Sequence, residues 1–163
     1  MKREGEPNKA YPTFEDLEVY QVAREFRKAM YRLVRKWPDI EKFGLASQIR
    51  DAAVSLTNNI AEGHGRFHFL DQIKFMLHSR GSLEELLDDL NVCLDESYLP
   101  AKEVETLKSD GWRVHRLING YIRFVRGGID EGSPRVHESP ADQVFAEEEL
   151  NEVFFRRFNP SSL

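Results

Sequence analysis

Apolar residues return every three or four positions along most of this chain, the step that gathers them on one face of a helix with about 3.6 residues per turn. In the first stretch Val19, Val22, Ala23, Phe26, Met30, Leu33, Val34 and Trp37 form one stripe, which predicts a helix from Phe14 to Trp37. Thr13 can accept a hydrogen bond from an amide of its first turn, Glu15 and Asp16 suit the positive end of the dipole, and Pro38 closes it. Leu45, Ile49, Ala52, Ala53, Leu56 and Ile60 predict a second helix, with Gly63 placed where a left-handed C-terminal residue is wanted. A third begins near Phe67 and carries Phe69, Ile73, Met76, Leu83, Leu87, Leu90 and Leu94, with Arg80 standing in the place of an apolar residue. Pro100 fits the first turn of a fourth, whose seam of Val104, Leu107, Gly111, Val114, Ile118, Tyr121 and Val125 ends at Gly127 and Gly128.

No strand pattern or internal repeat interrupts this sequence of helices. Four amphipathic helices with short turns predict an all-α fold, an antiparallel up-down-up-down four-helix bundle over residues 14–126. Residues 1–13 read as a disordered or extended N-terminus. Residues 127–141, rich in Gly, Ser, Pro and acids, read as a flexible linker. Residues 142–158 place Val144, Phe145, Leu150, Val153, Phe154 and Phe158 at near-helical spacing, a short amphipathic helix that must dock its phenylalanines to persist.

Length and composition narrow the class. A chain of 163 residues fits one domain with a core large enough to need neither disulfide nor metal. No apolar run approaches the roughly 18 residues of a membrane span. The amino end lacks the apolar region of a signal peptide, and the single cysteine, Cys93, cannot form an intrachain disulfide. These features predict a cytoplasmic location without membrane attachment. The net charge of −5 is carried by the tail, where residues 127–163 hold eight acids and three basic residues.

Candidate chemistry concentrates in the stretch SLTNNIAEGHGR, residues 55–66. Asn58, Asn59, Glu62 and Arg66 can satisfy the orphan amides and carbonyls of two helix ends. Glu62 faces the unfavourable end of its helix dipole and calls for a cationic partner, with Arg66 or Arg80 nearest. Arg80, on the core-facing stripe, needs a partner of its own, and its pairing with Glu62 is the expected solution; the small Gly81 and Ser82 beside it would let a neighbouring helix approach closely. Together Asn58, Asn59, Glu62, Arg66 and Arg80 are read as a structural polar network. The alternative for Arg80 is a cation that binds a phosphate or carboxylate.

Catalysis and metal binding find little support. His64 and His68 are four apart but Gly65 lies between them, so they do not share one continuous helix, and no metal site is expected. Ser55, Ser79 and Ser82 with His64 or His78 lack a nucleophile-elbow pattern such as G-x-S-x-G. The chain is therefore read as no enzyme, with no cofactor. Charge is the stronger signal. Residues 24–36 hold Arg24, Arg27, Lys28, Arg32, Arg35 and Lys36 against Glu25 alone, and residues 111–128 hold Arg113, Arg116, Arg123 and Arg126 with no acid. Arg24, Lys28 and Arg35 on one face of the first helix, with Arg116 and Arg123 on the fourth, are the candidate nucleic-acid contacts. Residues 83–110 carry nine acids against Lys102 and Lys108, so subunits of a ring could set basic faces against acidic ones.

The segments FEDLEVYQVAREF, FGLASQIRDAAVSLTNNIAEGHGR and FMLHSRGSLEELLDDL resemble the four-helix-bundle proteins encoded by intervening sequences of 23S ribosomal RNA genes. That family also takes in accessory proteins of diversity-generating retroelements. The resemblance covers roughly residues 14–126 and rests on the paired signatures NIAEG and RGSLEEL; Thr57 stands where the family commonly has proline, which predicts a straighter helix. It implies a ring-like homopentamer with no established catalysis, acting as an adaptor or assembly protein. The alternative it implies is a nucleic-acid-binding accessory protein, with RNA or DNA and a reverse transcriptase as candidate partners. This chain departs from the accessory members in its acidity and its additional tail.

Overall fold

The computed structural model describes residues 13–37 and 43–130, apart from the side chains of residues 129 and 130. Among these residues the regular structure is wholly helical: a 3-10 turn at Phe14–Asp16, then α1 (Glu18–Val34), α2 (Leu45–Gly65), α3 (Phe69–Asp95) and α4 (Ala101–Asp130). α1 and α3 each pack against both α2 and α4, which closes a four-membered ring of helix contacts. Direction follows from the residues that meet. Ser79 and Ser82 on α3 bond Leu56 and Ser55 on α2, and Arg80 on α3 bonds Asn119 on α4, while His115, one turn earlier, meets Glu84, one turn later. Rising numbers on one helix meet falling numbers on the next, as an antiparallel bundle requires.

The stripes read from the sequence form the centre. Ala23, Met30, Ile49, Ala53, Leu56, Ile60, Met76, Leu83, Leu90, Val114 and Ile118 lose all their accessible surface. Large side chains fully removed from water contribute roughly 1.5–3 kcal/mol each, which makes this interior the main source of stability. Leu86 and Cys93 join it from positions off the expected α3 stripe, whereas Leu94 remains exposed. Gly111 lets three helices meet, because a Cβ there would stand 2.7 Å from Leu87 and 3.2 Å from Phe26.

Several boundaries differ from the sequence reading, each for a local reason. The first helix does not run unbroken from Phe14: the Asp16 carboxylate accepts from the Thr13 backbone N–H at 2.7 Å and closes a separate turn, and Leu17 is extended at ψ 126° before α1 begins. The extended residue turns Phe14 back onto Tyr20, edge to face at 4.8 Å between ring centres. α2 continues through Gly63 to Gly65, so Gly63 is a contact residue and not a left-handed terminus; a Cβ there would lie 3.0 Å from the Phe75 Cβ. A Cβ at Gly81 would meet nothing within 4 Å, so this glycine grants no close approach among the described residues. Pro100 precedes α4, its carbonyl accepting from Glu103 and Val104. α4 runs on to Asp130 past both Gly127 and Gly128, and the Phe69 ring lies 3.4 Å from where a Gly128 Cβ would stand, an ordinary van der Waals contact.

Between α3 and α4 the chain reverses at Ser97, whose φ of 58° allows Tyr98 to donate back to the Cys93 carbonyl at 2.8 Å. Tyr98 then meets Trp37 at 5.4 Å, tying the end of α1 to this turn. The expected N-terminal segment, most of the linker and the fifth helix with Phe145, Leu150, Phe154 and Phe158 lie outside the described residues.

Candidate functional site

The polar residues expected to form one network divide into two, on opposite sides of α3. At the end of α2 Glu62 pairs with Arg66, one turn later on the same strand of chain, and both side chains stay about half exposed. The Arg66 guanidinium also lies over the Phe75 ring at 4.6 Å, and its carbonyl accepts from Gln72 at 2.9 Å. Asn59 donates to the Ser55 carbonyl at 2.8 Å, and Ser82 reaches the same residue's hydroxyl from α3. Asn58 points to solvent. These contacts fasten α2 to the start and middle of α3.

Arg80 belongs elsewhere. Its Nη1 donates to Asn119 Oδ1 on α4 at 3.0 Å, and the expected pairing with Glu62 is not formed. The reason is rotational: one residue along a helix turns the side chain by about 100°, so Ser79 faces α2 while Arg80 faces the α3–α4 seam. Ser79 donates to the Leu56 carbonyl at 2.7 Å, fixing that orientation. Asn119 continues the chain through Nδ2 to His115 Nδ1 at 3.2 Å, and His115 Nε2 stands 3.3 Å from Glu84. With the Asn119 carbonyl engaged by Arg80, its amide must donate to His115 Nδ1, which leaves the imidazole proton on Nε2, toward Glu84. Each link of this row thus joins a donor to an acceptor. Arg80, 8 % exposed, is thereby held by a neutral amide inside the seam.

A second charged region lies on the other flank. Arg27 reaches from α1 to α2, where its Nη1 donates to Thr57 Oγ1 at 2.7 Å; Thr57, itself buried, donates a hydrogen bond from its own hydroxyl to the Val54 carbonyl at 3.2 Å. Arg27, Lys28, Tyr31, Arg32, Arg35 and Val54 line an open cleft of about 500 Å³. Of the contacts expected on α1, Lys28 and Arg35 are set by the fold beside Arg27 and Arg32. Arg24 is exposed outside this lining. Lys28 also bonds Glu25 at 2.8 Å, and that hydrogen bond, with the charges of Lys28, Arg24 and Arg32, holds the Glu25 carboxyl below its ordinary range.

On α4 the expected contacts separate. Arg116 lines a different open cleft of about 550 Å³ with Leu94, Val104, Glu105, Lys108 and Trp112, and Arg123 stands exposed nearly two turns later. Arg24, Lys28, Arg35, Arg116 and Arg123 are all at the surface, but they are not one site. Along the same outer line of α4, Trp112, Arg116, Gly120 and Phe124 follow at four-residue steps, with Trp112 45 % and Phe124 77 % exposed. Both fall between the seam positions; Phe124 lies with Leu117 on the second stripe that the spacing of α4 offers beside its seam, although Leu117 itself packs partly buried against the core.

Asp89, on α3, is 7 % exposed with no hydrogen-bond partner at Oδ2; burial first, then the charges of Glu85 and Asp88, push its carboxyl up to about 6. Among the described residues no three His, Cys, Asp or Glu side chains gather as a metal site would require, and no helix is long and apolar enough to cross a membrane.

The family model of the 23S rRNA-intervening sequence protein matches residues 15–120, which takes in most of the bundle from the first turn to the middle of α4. The chain belongs to this family. In this intervening-sequence protein the match includes both polar groups, the α1–α2 cleft and Trp112, and stops before Phe124 and Arg123. A search of curated proteins finds no match to it.

Proposed function

We propose that this intervening-sequence protein is a non-enzymatic subunit of a cytoplasmic homo-oligomer, a ring-like pentamer, that serves as an adaptor or assembly protein. The observation that carries the reading is the outer line of α4, where Phe124 and Trp112 expose large aromatic surfaces that the bundle leaves uncovered. Covering each in a subunit contact would contribute roughly 2 kcal/mol. Charge supports a head-to-tail arrangement. Arg113, Arg123 and Arg126 flank this line and Arg116 lies on it, with no acid among residues 111–128, while Glu85, Asp88 and Asp95 lie exposed on α3 and Glu96 just after it. A contact between two different faces repeats around a ring and closes, whereas two like faces would set arginine against arginine. The test is Phe124→Glu together with Trp112→Glu, followed by light scattering. The reading requires the mass to fall to that of one chain; a mass unchanged from the parent rejects α4 as the contact.

A second reading, a nucleic-acid-binding accessory protein such as those that serve a reverse transcriptase or retroelement, is favoured by one observation, the cationic cleft on α1. Binding of RNA or DNA through it would be electrostatic. Replacing Lys28 and Arg35 by glutamine would then flatten the dependence of affinity on salt by about 0.9 for each duplex phosphate that is no longer neutralised. An unchanged slope removes this reading.

A further inference from the structure

We propose that the α1–α2 cleft is a binding site for a nucleotide, with its phosphate held by Arg27, Arg32 and Arg35 and its ring laid against Tyr31 and Val54. The inference gives a ligand class to the cleft on which the nucleic-acid reading rests. It is independent of self-association through α4.

Three features distinguish this cleft from an ordinary solvated face. The first is preorganisation. Arg27 would be a mobile surface side chain, but Thr57 Oγ1 accepts from its Nη1 at 2.7 Å, and Thr57 is 1 % exposed with its own proton committed to Val54. The guanidinium is fixed at one end and keeps its remaining N–H groups in a planar fork, the geometry that matches phosphate oxygens. Ordering such a side chain before the ligand arrives removes an entropy cost from binding.

The second feature is the sign of the lining. Four cations, Arg27, Lys28, Arg32 and Arg35, meet at one cleft and no acid lines it among the described residues. Glu25, the single acid of residues 24–36, bonds Lys28 at the surface and lies outside the lining. Four like charges drawn together repel one another, and a dianion such as a phosphate monoester relieves that repulsion better than a single carboxylate.

The third is the mixed character of the walls. Inorganic phosphate would use the cations and leave the Tyr31 ring, Val54 and the aliphatic stems of the arginines in water. A phosphate joined to a flat ring uses both, through charge-assisted hydrogen bonds at one end and stacking at the other. The volume of about 500 Å³ falls within the range of small-molecule sites, roughly 300–1,000 Å³.

The nucleotide could be free or part of a strand, and the probes separate the two. Adenosine monophosphate and adenosine are titrated calorimetrically into the full chain at low salt, and a fluorescent single-stranded 12-mer is followed by anisotropy. A free-nucleotide site binds the monophosphate and not the nucleoside; a strand site binds the 12-mer and neither small probe. In either case Arg27→Met and Arg35→Gln should each weaken binding about tenfold or more, the value of a missing hydrogen bond to a charged group. Thr57→Val, which frees Arg27 without touching the cleft, should weaken it severalfold. Lys74→Gln and Arg113→Gln, exposed on α3 and α4 outside the lining, should leave it unchanged. Circular dichroism establishes that each variant keeps its helices, and Arg35→Gln, at an exposed position, provides the arm least exposed to a folding defect. If the 12-mer binds and all of these variants weaken it alike, the cleft is no site and the nucleic-acid reading survives as diffuse attraction. If no probe binds, both fall.

Discussion

Arg80 of α3 and Asn119 of α4 are joined across the seam of the bundle by a hydrogen bond of 3.0 Å, which places a nearly buried cation against a neutral amide. His115 and Glu84 extend the row to the surface. The arrangement predicts a specific coupling. Arg80→Met and Asn119→Leu should each cost about 2–4 kcal/mol, because each strands a polar partner, and the double variant should cost at least about 1 kcal/mol less than the two single effects added together. Urea unfolding of the four proteins measures it. A parallel cycle of Arg80→Met with Glu62→Gln should return additivity; coupling there, and none with Asn119, would contradict the row.

The glycines give a second prediction, with opposite signs at two positions. Gly63 faces the Phe75 Cβ at 3.0 Å and the Gln72 carbonyl at 3.3 Å from where its own Cβ would stand, and neither is the far end of a flexible side chain. Gly63→Ala should therefore destabilise by about 1–3 kcal/mol even though alanine is the better helix former. Gly81 has nothing within 4 Å, so Gly81→Ala should stabilise the isolated bundle by roughly 0.5–1 kcal/mol. Thermal unfolding of a dilute sample distinguishes the two. A stabilised Gly63→Ala would mean that α2 and α3 can separate at this point at no cost.

How far these relationships are legible in the sequence depends on whether they are periodic. The four stripes set the helices and their buried faces, because removing apolar surface from water has no directional demand beyond the side of the helix it acts on. Polar partners are different. Asn119 and His115 lie beside the α4 seam and Glu84 within a run of acids, so nothing in their spacing marks them as the partners of Arg80. Glu62 is nearer to Arg80 only on a reading that lacks the rotation of α3: Ser79 faces α2, and Arg80 therefore does not. Gly63, Gly127 and Gly128 mislead for a related reason. Glycine lowers helix propensity by about 1 kcal/mol, a cost that the packing of the rest of a helix can outweigh: α2 runs through Gly63, which sits close against Phe75, and α4 through Gly128 beside Phe69 and through Gly127, where a Cβ would meet nothing within 4 Å among the described residues. The cations of α1 are legible as a group, whereas the selection of Lys28 and Arg35 over Arg24 needs the position of α2 and its Thr57.

Asp89 supplies a prediction for pH. Its carboxyl is raised from 3.8 to about 6 by burial and by Glu85 and Asp88, so the folded chain holds this proton more tightly than the unfolded chain does. The sign follows: the contribution is fully favourable below about pH 4 and is lost as pH rises toward 6, a span worth roughly 3 kcal/mol. Asp89→Asn removes the ionisation. Its gain over the parent should be small at pH 4, grow through pH 5 and 6, and reach about 2–3 kcal/mol at pH 7 in urea unfolding. A difference between the two proteins that does not vary with pH would show that the Asp89 carboxyl titrates alike in the folded and unfolded chains.

Self-association is the claim on which the proposed role depends, and sedimentation equilibrium of the full chain at physiological salt tests it most directly. The exposed Phe124 and Trp112, with arginines on α4 opposed by acids on α3, call for a mass several times the 19.0 kDa of one chain, five times for the proposed ring, constant over a wide range of concentration. A constant mass of 19.0 kDa would contradict it and leave the aromatic line of α4 without a partner.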